Sequence, residues 1–380
     1  RDAFSIYRTR SCCIDNGATS RCGDWRGRGR NRRREDAARL RARRGGLREA
    51  SDVSVFIMLL NISRVGGIWR RGGDVVYRGL RTNLPHQIMG YRDFPFKAPC
   101  SFVTTAEMTE YMEDYYASSD ILDIVDFSVE VLSVTKDHGC WTLRSRQDDV
   151  CSSAEFDAVV VANGHYDKAA HCAMEGAADF PGTISHSRDY DEPSSYAEKV
   201  VVVVGARSSG TDIAKEICFE GGASRVIVVD RACAAREVYA GEPRLVRAPP
   251  LARLRSDGGA EFADGTTEAK VDEVIECCGF DYDFPFLAKE LLRSHERCVE
   301  PLWEQLFHSE DPSLVFLGIP HSIVPFPLMQ IQSILAARVF AGQIEMPKEY
   351  HAPSEKKERR RDAHHLGNRQ WDYSYRLLRY

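Results

Sequence analysis

No stretch of this sequence is apolar for long enough to cross a membrane. The longest apolar runs, residues 53–60 with Ser54 interrupting and Val200–Val204, fall far short of the roughly twenty residues a span needs. Residues 1–30 contain no apolar h-region, so no signal peptide is expected. Twelve cysteines are present, but never as C-x-x-C, and the neighbours Cys12–Cys13 and Cys277–Cys278 are poorly spaced for tetrahedral zinc. No histidine pair stands at i, i+4, so no metal site is expected, and there is neither a G-x-S-x-G elbow nor a credible Ser–His–Asp arrangement. A basic excess is missing too. Lys and Arg number 51 against 56 Asp and Glu, and the net charge of −5 argues against a dedicated nucleic-acid binder. The expectation is a cytoplasmic protein with reduced thiols, no transmembrane segment and no nucleic-acid partner.

The total charge conceals an asymmetry. Residues 1–50 hold 15 Arg and six acidic residues, a charge of +9, so the remaining 330 carry −14. Asp24-Trp25-Arg26-Gly27-Arg28-Gly29-Arg30 and Arg32-Arg33-Arg34 are too charged to bury a face. This segment reads as a disordered basic arm, as a nucleic-acid arm, or as the product of a sequence error upstream of about residue 50. From Asp52 the texture becomes that of a folded chain. Residues 53–57 read as a buried strand, 104–116 as a helix with Met108, Tyr111, Met112 and Tyr115 on one side, and 126–136 with 139–144 as a hairpin. Residues 348–380 are charged and read as a solvated tail.

The clearest unit begins at Lys199–Val204, an apolar strand rich in β-branched residues. Gly205-Ala206-Arg207-Ser208-Ser209-Gly210 follows it, then a helix over 211–219 and a strand over 225–229. Strand, glycine loop, helix, strand is a βαβ unit, and such a loop leaves backbone N–H groups aimed at one spot where a pyrophosphate fits. Gly205 permits the tight turn, and Gly210 allows close helix–strand packing. Arg207 replaces the usual middle glycine, and it either crowds the approach or contacts phosphate itself. At the end of the second strand, Asp230 favours the free ribose of NAD whereas Arg231 favours the 2′-phosphate of NADP, so the local rule is split. Trp69 and Phe94-Pro95-Phe96 read as core anchors, Asn83 as a turn residue or a polar group placed in a site, and His165 and His186 as structural histidines.

Several segments, in order, resemble the flavin-containing monooxygenases, a family of class B flavoprotein monooxygenases. Phe180-Pro181-Gly182-Thr183-Ile184-Ser185-His186-Ser187-Arg188-Asp189-Tyr190 matches the F-x-G-x-x-x-H-x-x-x-Y fingerprint, ending in Tyr rather than the Trp of Baeyer–Villiger relatives. Gly66-Gly67-Ile68-Trp69 matches G-G-x-W, Leu80-Arg81-Thr82-Asn83-Leu84-Pro85 matches L-x-T-N-x-P, and Asp93-Phe94-Pro95-Phe96 matches D-F-P-F. Cys278-Gly279-Phe280 stands where the family has its A-T-G-Y linker, and Phe316-Leu317-Gly318-Ile319-Pro320 and Pro325-Phe326-Pro327 complete the series over residues 50–347. Four features depart from the pattern. No G-x-G-x-x-G loop for the FAD pyrophosphate precedes the strand near Phe56-Ile57, so segment 1–50 reads as a damaged or misread flavin loop. Arg207 replaces a glycine, Cys277-Cys278 replace Ala-Thr, and Gln330 replaces Glu.

The resemblance implies an α/β fold of two Rossmann-like dinucleotide-binding domains, the NADP domain inserted into the FAD domain. The expected divisions are 51–194 and 286–347 for FAD, 195–285 for NADP, and 348–380 for the tail. It implies FAD and NADPH as cofactors, and a monooxygenase of the N,N-dimethylaniline type. That enzyme places one O2 oxygen on a soft nitrogen or sulfur atom of a small molecule (an amine, sulfide or thiol) through a C4a-hydroperoxyflavin. By the same resemblance Asn83 is catalytic, lying over the flavin. Gly66, Gly67, Trp69, Val131 and Gly318 would serve FAD, while Gly205, Ser208, Ser209, Gly210 and Arg231 would serve NADP. Matching Arg231 to the family decides for NADP over NAD, and His186 would couple the two domains. The alternatives are a Baeyer–Villiger or N-hydroxylating relative, and an inactive NADP-binding remnant without a working flavin loop.

Overall fold

The structure is a computed structural model that describes residues 55–58, 64–70, 75–120, 124–239, 241–295, 297–347 and 363–380. The expectations for the basic segment 1–50 lie outside the described residues. Two mixed sheets, each with a parallel centre and an antiparallel edge, carry the fold, and one unit is inserted into the other along the chain.

The inserted unit is built on β8 (Val200–Val204). It lies between β9 (Arg225–Val229) and β15 (Glu273–Glu276), with β7 (Thr183–His186) beyond β15. On the other side, β11 (Glu242–Ala248) and β10 (Glu237–Tyr239) extend the sheet. A sheet covered on both faces needs continuous apolar strands, which is why Val200–Val204 shows no alternation. Val201, Val203, Val226 and Val228 pack against Ile213 and Ile217 of helix α2 (Ser208–Phe219). Val202, Ile227, Val229 and Val274 turn to the opposite face and meet Phe180, Leu254 and Phe262. The last two come from an antiparallel layer of β12 (Leu251–Leu254), β13 (Ala260–Phe262) and β14 (Thr267–Glu268).

The other sheet runs β1 (Val55–Met58), β5 (Ala158–Val161), β21 (Leu314–Phe316), β20 (Phe307–His308), β19 (Leu302–Trp303). A short hairpin, β17 (Arg293–His295) and β18 (Cys298–Glu300), leads into it. Its two faces separate by the period of two that a strand imposes. Val159, Val161, Leu314 and Phe316 face a three-stranded meander of β2 (Glu130–Asp137), β3 (Cys140–Gln147) and β4 (Val150–Phe156), meeting Val134, Trp141 and Leu143. Val160 and Val315 face helix α3 (Pro325–Phe340) through Leu328 and Leu335. This helix begins at Pro325, proline being suited to the first helical turn, whose N–H groups have no partner anyway.

Helix α1 (Thr105–Ala117) starts at a reciprocal cap. Thr104 Oγ1 accepts from the Glu107 N–H at 3.3 Å, and Glu107 Oε2 accepts from the Thr104 N–H at 2.8 Å. Met108 and Tyr111 are buried as the spacing predicts, Tyr111 stacking on Phe96 at 4.2 Å between ring centroids. The segment expected to be a solvated tail is not solvated throughout. Helix α4 (Gln370–Leu377) buries Tyr373 and Leu377 against α3, and the Tyr373 hydroxyl donates to Glu304 O at 2.6 Å. Two apolar positions spaced four apart suffice to seat a short helix, a signal the surrounding charge conceals.

Candidate active site

The glycine loop forms a cradle at the C-terminal end of β8. Gly205 adopts φ +119°, and a Cβ there would lie 2.5 Å from the Cys277 carbonyl oxygen. A Cβ on Gly210 would lie 1.8 Å from Gly205 O, so the helix packs directly on the strand end. Arg207 is the N-cap of α2 and its side chain makes no capping bond, leaving first-turn N–H groups for an anion. Arg207, Ser208 and Ser209 are exposed around this opening, and Thr211 Oγ1 braces it by donating to Ala206 O at 3.1 Å. A cavity of about 160 Å³ adjoins the loop between Ala206, Thr211, Tyr239 and Arg247. These residues fit a dinucleotide phosphate.

Asn83 arrives from the other unit. Its neighbour Thr82 is clamped twice to Val103, with the Thr82 N–H donating to Val103 O at 2.9 Å and the Val103 N–H donating to Thr82 Oγ1 at 3.1 Å. That clamp presents Asn83 to the cleft, where its Nδ2 donates to Ser208 Oγ at 3.4 Å. The structure therefore joins Asn83 to the phosphate cradle, a link no local spacing reveals. Asp230 and Arg231 part company. Asp230 is held by Arg247, whose Nε donates to Oδ2 at 3.0 Å, and by the Ala232 N–H at 2.9 Å. Those two bonds keep its carboxyl below the usual range. Arg231 is exposed and lines a larger cavity of about 420 Å³. Arg247, on β11, is the residue the sequence argument missed.

The remaining residues expected at the flavin are placed separately. Gly66 (φ +118°) and Gly67 form the turn before Trp69, whose carbonyl accepts from Thr109 Oγ1 of α1 at 3.0 Å. Trp69 also packs into the Phe96–Tyr111 cluster, so its anchoring role is visible. Val131 lies on β2 beside the meander core. Gly318 follows β21 at φ +75°, and its N–H donates to Gln332 Oε1 at 3.0 Å. His186 is buried; its Nδ1 accepts from the Arg188 N–H at 3.0 Å, so Nε2 donates to the Gly279 carbonyl at 3.1 Å. It thus ties the fingerprint strand to the linker between the units, and burial lowers its pKa. Gln330 bridges α3 to the D-F-P-F turn, donating to Asp93 Oδ1 at 2.9 Å and accepting from the Arg92 N–H at 3.1 Å.

For a flavin the fit is incomplete among the described residues. There β1 pairs directly with β5, Val55 opposite Ala158, and no strand–glycine loop–helix unit feeds that sheet.

A family model for flavin-binding monooxygenase-like proteins matches residues 60–235 and 251–374. Flavin-containing monooxygenase FMO GS-OX-like 2 of Arabidopsis thaliana is 32% identical over 348 residues, 82% of this chain and 74% of that protein. FMO GS-OX5 of the same plant is 32% identical over 322 residues, covering 78% and 70%. Among solved structures, the S-allyl-L-cysteine S-oxygenase from Allium sativum matches with a TM-score of 0.78 at 28% identity, over 87% of this chain and 83% of that one. Tmm from Pelagibacter sp. strain HTCC7211 shares the fold, with a TM-score of 0.74 at 23% identity over 90% and 81%.

Proposed function

This chain belongs to the flavin-binding monooxygenase-like family, and from that premise we propose that it is an FAD- and NADPH-dependent monooxygenase acting on a soft nucleophilic atom of a small molecule. Sulfur is favoured over nitrogen, because the similar Allium protein is named an S-oxygenase. An amine, sulfide or thiol of modest size and O2 are its partners in this reading, and the cytoplasm is its compartment. No helix among the described residues is long and apolar enough to cross a membrane.

One observation carries the proposal: Asn83 of one unit meets Ser208 at the phosphate cradle of the other. Residues 195–285 then form the NADP domain, and 51–194 with 286–347 the FAD domain. Gly205 and Gly210 bring the backbone close enough for first-turn N–H groups to hold the pyrophosphate, Ser208 and Ser209 flank it, and Arg231 pairs with the 2′-phosphate. Arg247 neutralises Asp230, removing a carboxylate that would repel that phosphate. Gly66, Gly67, Trp69, Val131 and Gly318 remain the flavin-side residues of the reading. When bound, nicotinamide supplies the hydride and flavin the oxygen activation. The role of Asn83 is to present an amide donor at the junction of the two units and hold the reacting groups in register.

The test is product analysis. With added FAD and NADPH, the protein should convert a dialkyl sulfide to its sulfoxide. Asn83→Ser should lose at least 90% of that product while still binding NADPH, about 1.4 kcal/mol or more of transition-state stabilisation. A fully active Asn83→Ser protein would remove Asn83 from the mechanism.

A further inference from the structure

The chain passes between its two units twice, after β5 and after β15, and the two passages are paired. Strand β6 (Lys168–Ala169) runs antiparallel to β16 (Phe280–Asp281), Phe280 opposite Ala169 and Asp281 opposite Lys168. The Ala170 N–H extends the ladder by donating to Gly279 O at 2.9 Å. Just past the ladder come Cys172, whose N–H donates to Glu276 Oε1 at 2.9 Å, and Cys278, two residues beyond Glu276. Both residues line the same cavity of about 420 Å³, whose walls also carry Arg231 and Arg297. Neither thiol has a part in the oxygenation reading.

The surroundings divide the labour between them. Cys172 is anchored by Glu276, which accepts from its N–H at 2.9 Å and from its Sγ at 3.4 Å. Its ionisation is opposed first by the neighbouring Cys278 and then by burial. Cys172 beside it, and then the Arg297 and Arg231 charges, lower the pKa of Cys278, whose Sγ donates to Val204 O at 3.8 Å. Arg297 also donates to the Cys278 carbonyl. The neighbouring Cys277 points to the other side, against the core under α2, and burial pushes its thiol up to about 12. A thiolate-prone cysteine opening on a cavity, with a protonated cysteine lining the same cavity, is the arrangement of an attacking and a resolving thiol.

We propose that Cys172 and Cys278 are a redox-modification site, closed to a disulfide by hydrogen peroxide, which fastens the two passages together. The Cys278 thiolate attacks one peroxide oxygen, the O–O bond breaks, and hydroxide leaves; sulfur is oxidised to a sulfenic acid and peroxide is reduced. The Cys172 sulfur then attacks the Cys278 sulfur, the S–O bond breaks, and the Cys172 proton leaves with that oxygen as water. With the first hydroxide reprotonated, two thiols and one peroxide become one disulfide and two waters. A cellular dithiol reverses the change.

The full chain is exposed to equimolar hydrogen peroxide, alkylated, digested and examined by mass spectrometry. A peptide pair joining Cys172 to Cys278 should form before any pairing among the other described cysteines, and dithiothreitol should abolish it. In Cys172→Ser the cross-link should vanish, and dimedone labelling of Cys278 should rise at least fivefold over the parent. In Cys278→Ser, dimedone labelling at Cys172 should stay at background. The proposal falls if Cys278 labels equally in parent and Cys172→Ser, or if the cross-link uses Cys277. None of these readouts requires flavin or turnover, so they stand apart from the test of the oxygenase reading.

Discussion

At the scale of single residues, charge and hydrogen-bond direction decide more than identity does. Asp230 and Arg231 are adjacent, and from spacing alone they argue for opposite cofactors. Arg247, seventeen residues on, breaks the tie by occupying Asp230, and only the strand pairing of β11 with β9 brings it there. Arg231→Ala should therefore raise KM for NADPH about tenfold or more, the worth of a charge-assisted contact to phosphate, and leave KM for NADH nearly unchanged. Equal changes for both cofactors would place the 2′-phosphate elsewhere. His364 supplies a pH prediction. Its Nε2 accepts from the Val299 N–H at 2.9 Å, so the ring is neutral with Nδ1 donating to Gln305 Oε1 at 3.0 Å. Burial, with His321 and His165 nearby, pushes its pKa down to about 4. Because the folded value lies below the unfolded one of about 6.5, its contribution is complete above pH 6.5 and is lost as pH falls toward 4, about 3 kcal/mol in all. Urea unfolding across that window should show the loss, and His364→Ala should lessen it, leaving the part due to His165, whose pKa burial also lowers to about 4. The variant should also be about 1–3 kcal/mol less stable at pH 7, having orphaned a buried N–H.

At the scale of elements, the nucleotide cradle is the part that a single Cβ can break. Gly210→Ala would drive its methyl to within 1.8 Å of the Gly205 carbonyl, and backbone on both sides leaves little room to yield. The helix N-terminus must then lift from the strand end. NADPH affinity should fall at least tenfold in a fluorescence titration, with a lowered unfolding midpoint, whereas Ser209→Ala should leave the midpoint nearly unchanged. This element was legible in the sequence because everything that makes it is local: β-branched strand, glycines at the turn, apolar spacing along the helix. Arg225–Val229 was legible for the same reason. The antiparallel β12–β14 layer was not, since its three strands have two to four residues each and derive their pairing from tertiary contact. Helix α4 was concealed by charge around Tyr373 and Leu377. The Asn83–Ser208 contact joins residues 125 positions apart, so the motif suggested a role for Asn83 but could not supply its partner.

At the scale of the whole molecule, the two sheets are informative when compared with each other. In the inserted unit the loop-bearing strand β8 has the next strand, β9, on one side and the returning strand, β15, on the other. In the outer sheet the returning strands β5 and β21 are present, yet β1 lies directly against β5, with Val55, Phe56, Ile57 and Met58 opposite Ala158 to Val161. No glycine fingerprint follows β1; Gly66-Gly67 comes eight residues later and leads only into a single turn at Gly67–Trp69. Beside the returning strand β5, β1 holds the position that the loop-bearing strand β8 holds beside β15, but without a phosphate loop after it. A strand–Gly-x-Gly-x-x-Gly–helix unit joined ahead of Val55 should enter that place, displacing β1 by one position. Purified without added flavin, the extended chain should then hold close to one FAD per molecule by its visible absorption, and the chain as it stands much less, so that it depends on supplied FAD for turnover, while both bind NADPH alike through the untouched cradle. Equal flavin content in the two proteins would mean that the direct β1–β5 pairing is compatible with a filled flavin site. Unequal NADPH binding would mean that the inserted unit does not act independently of the sheet that carries it.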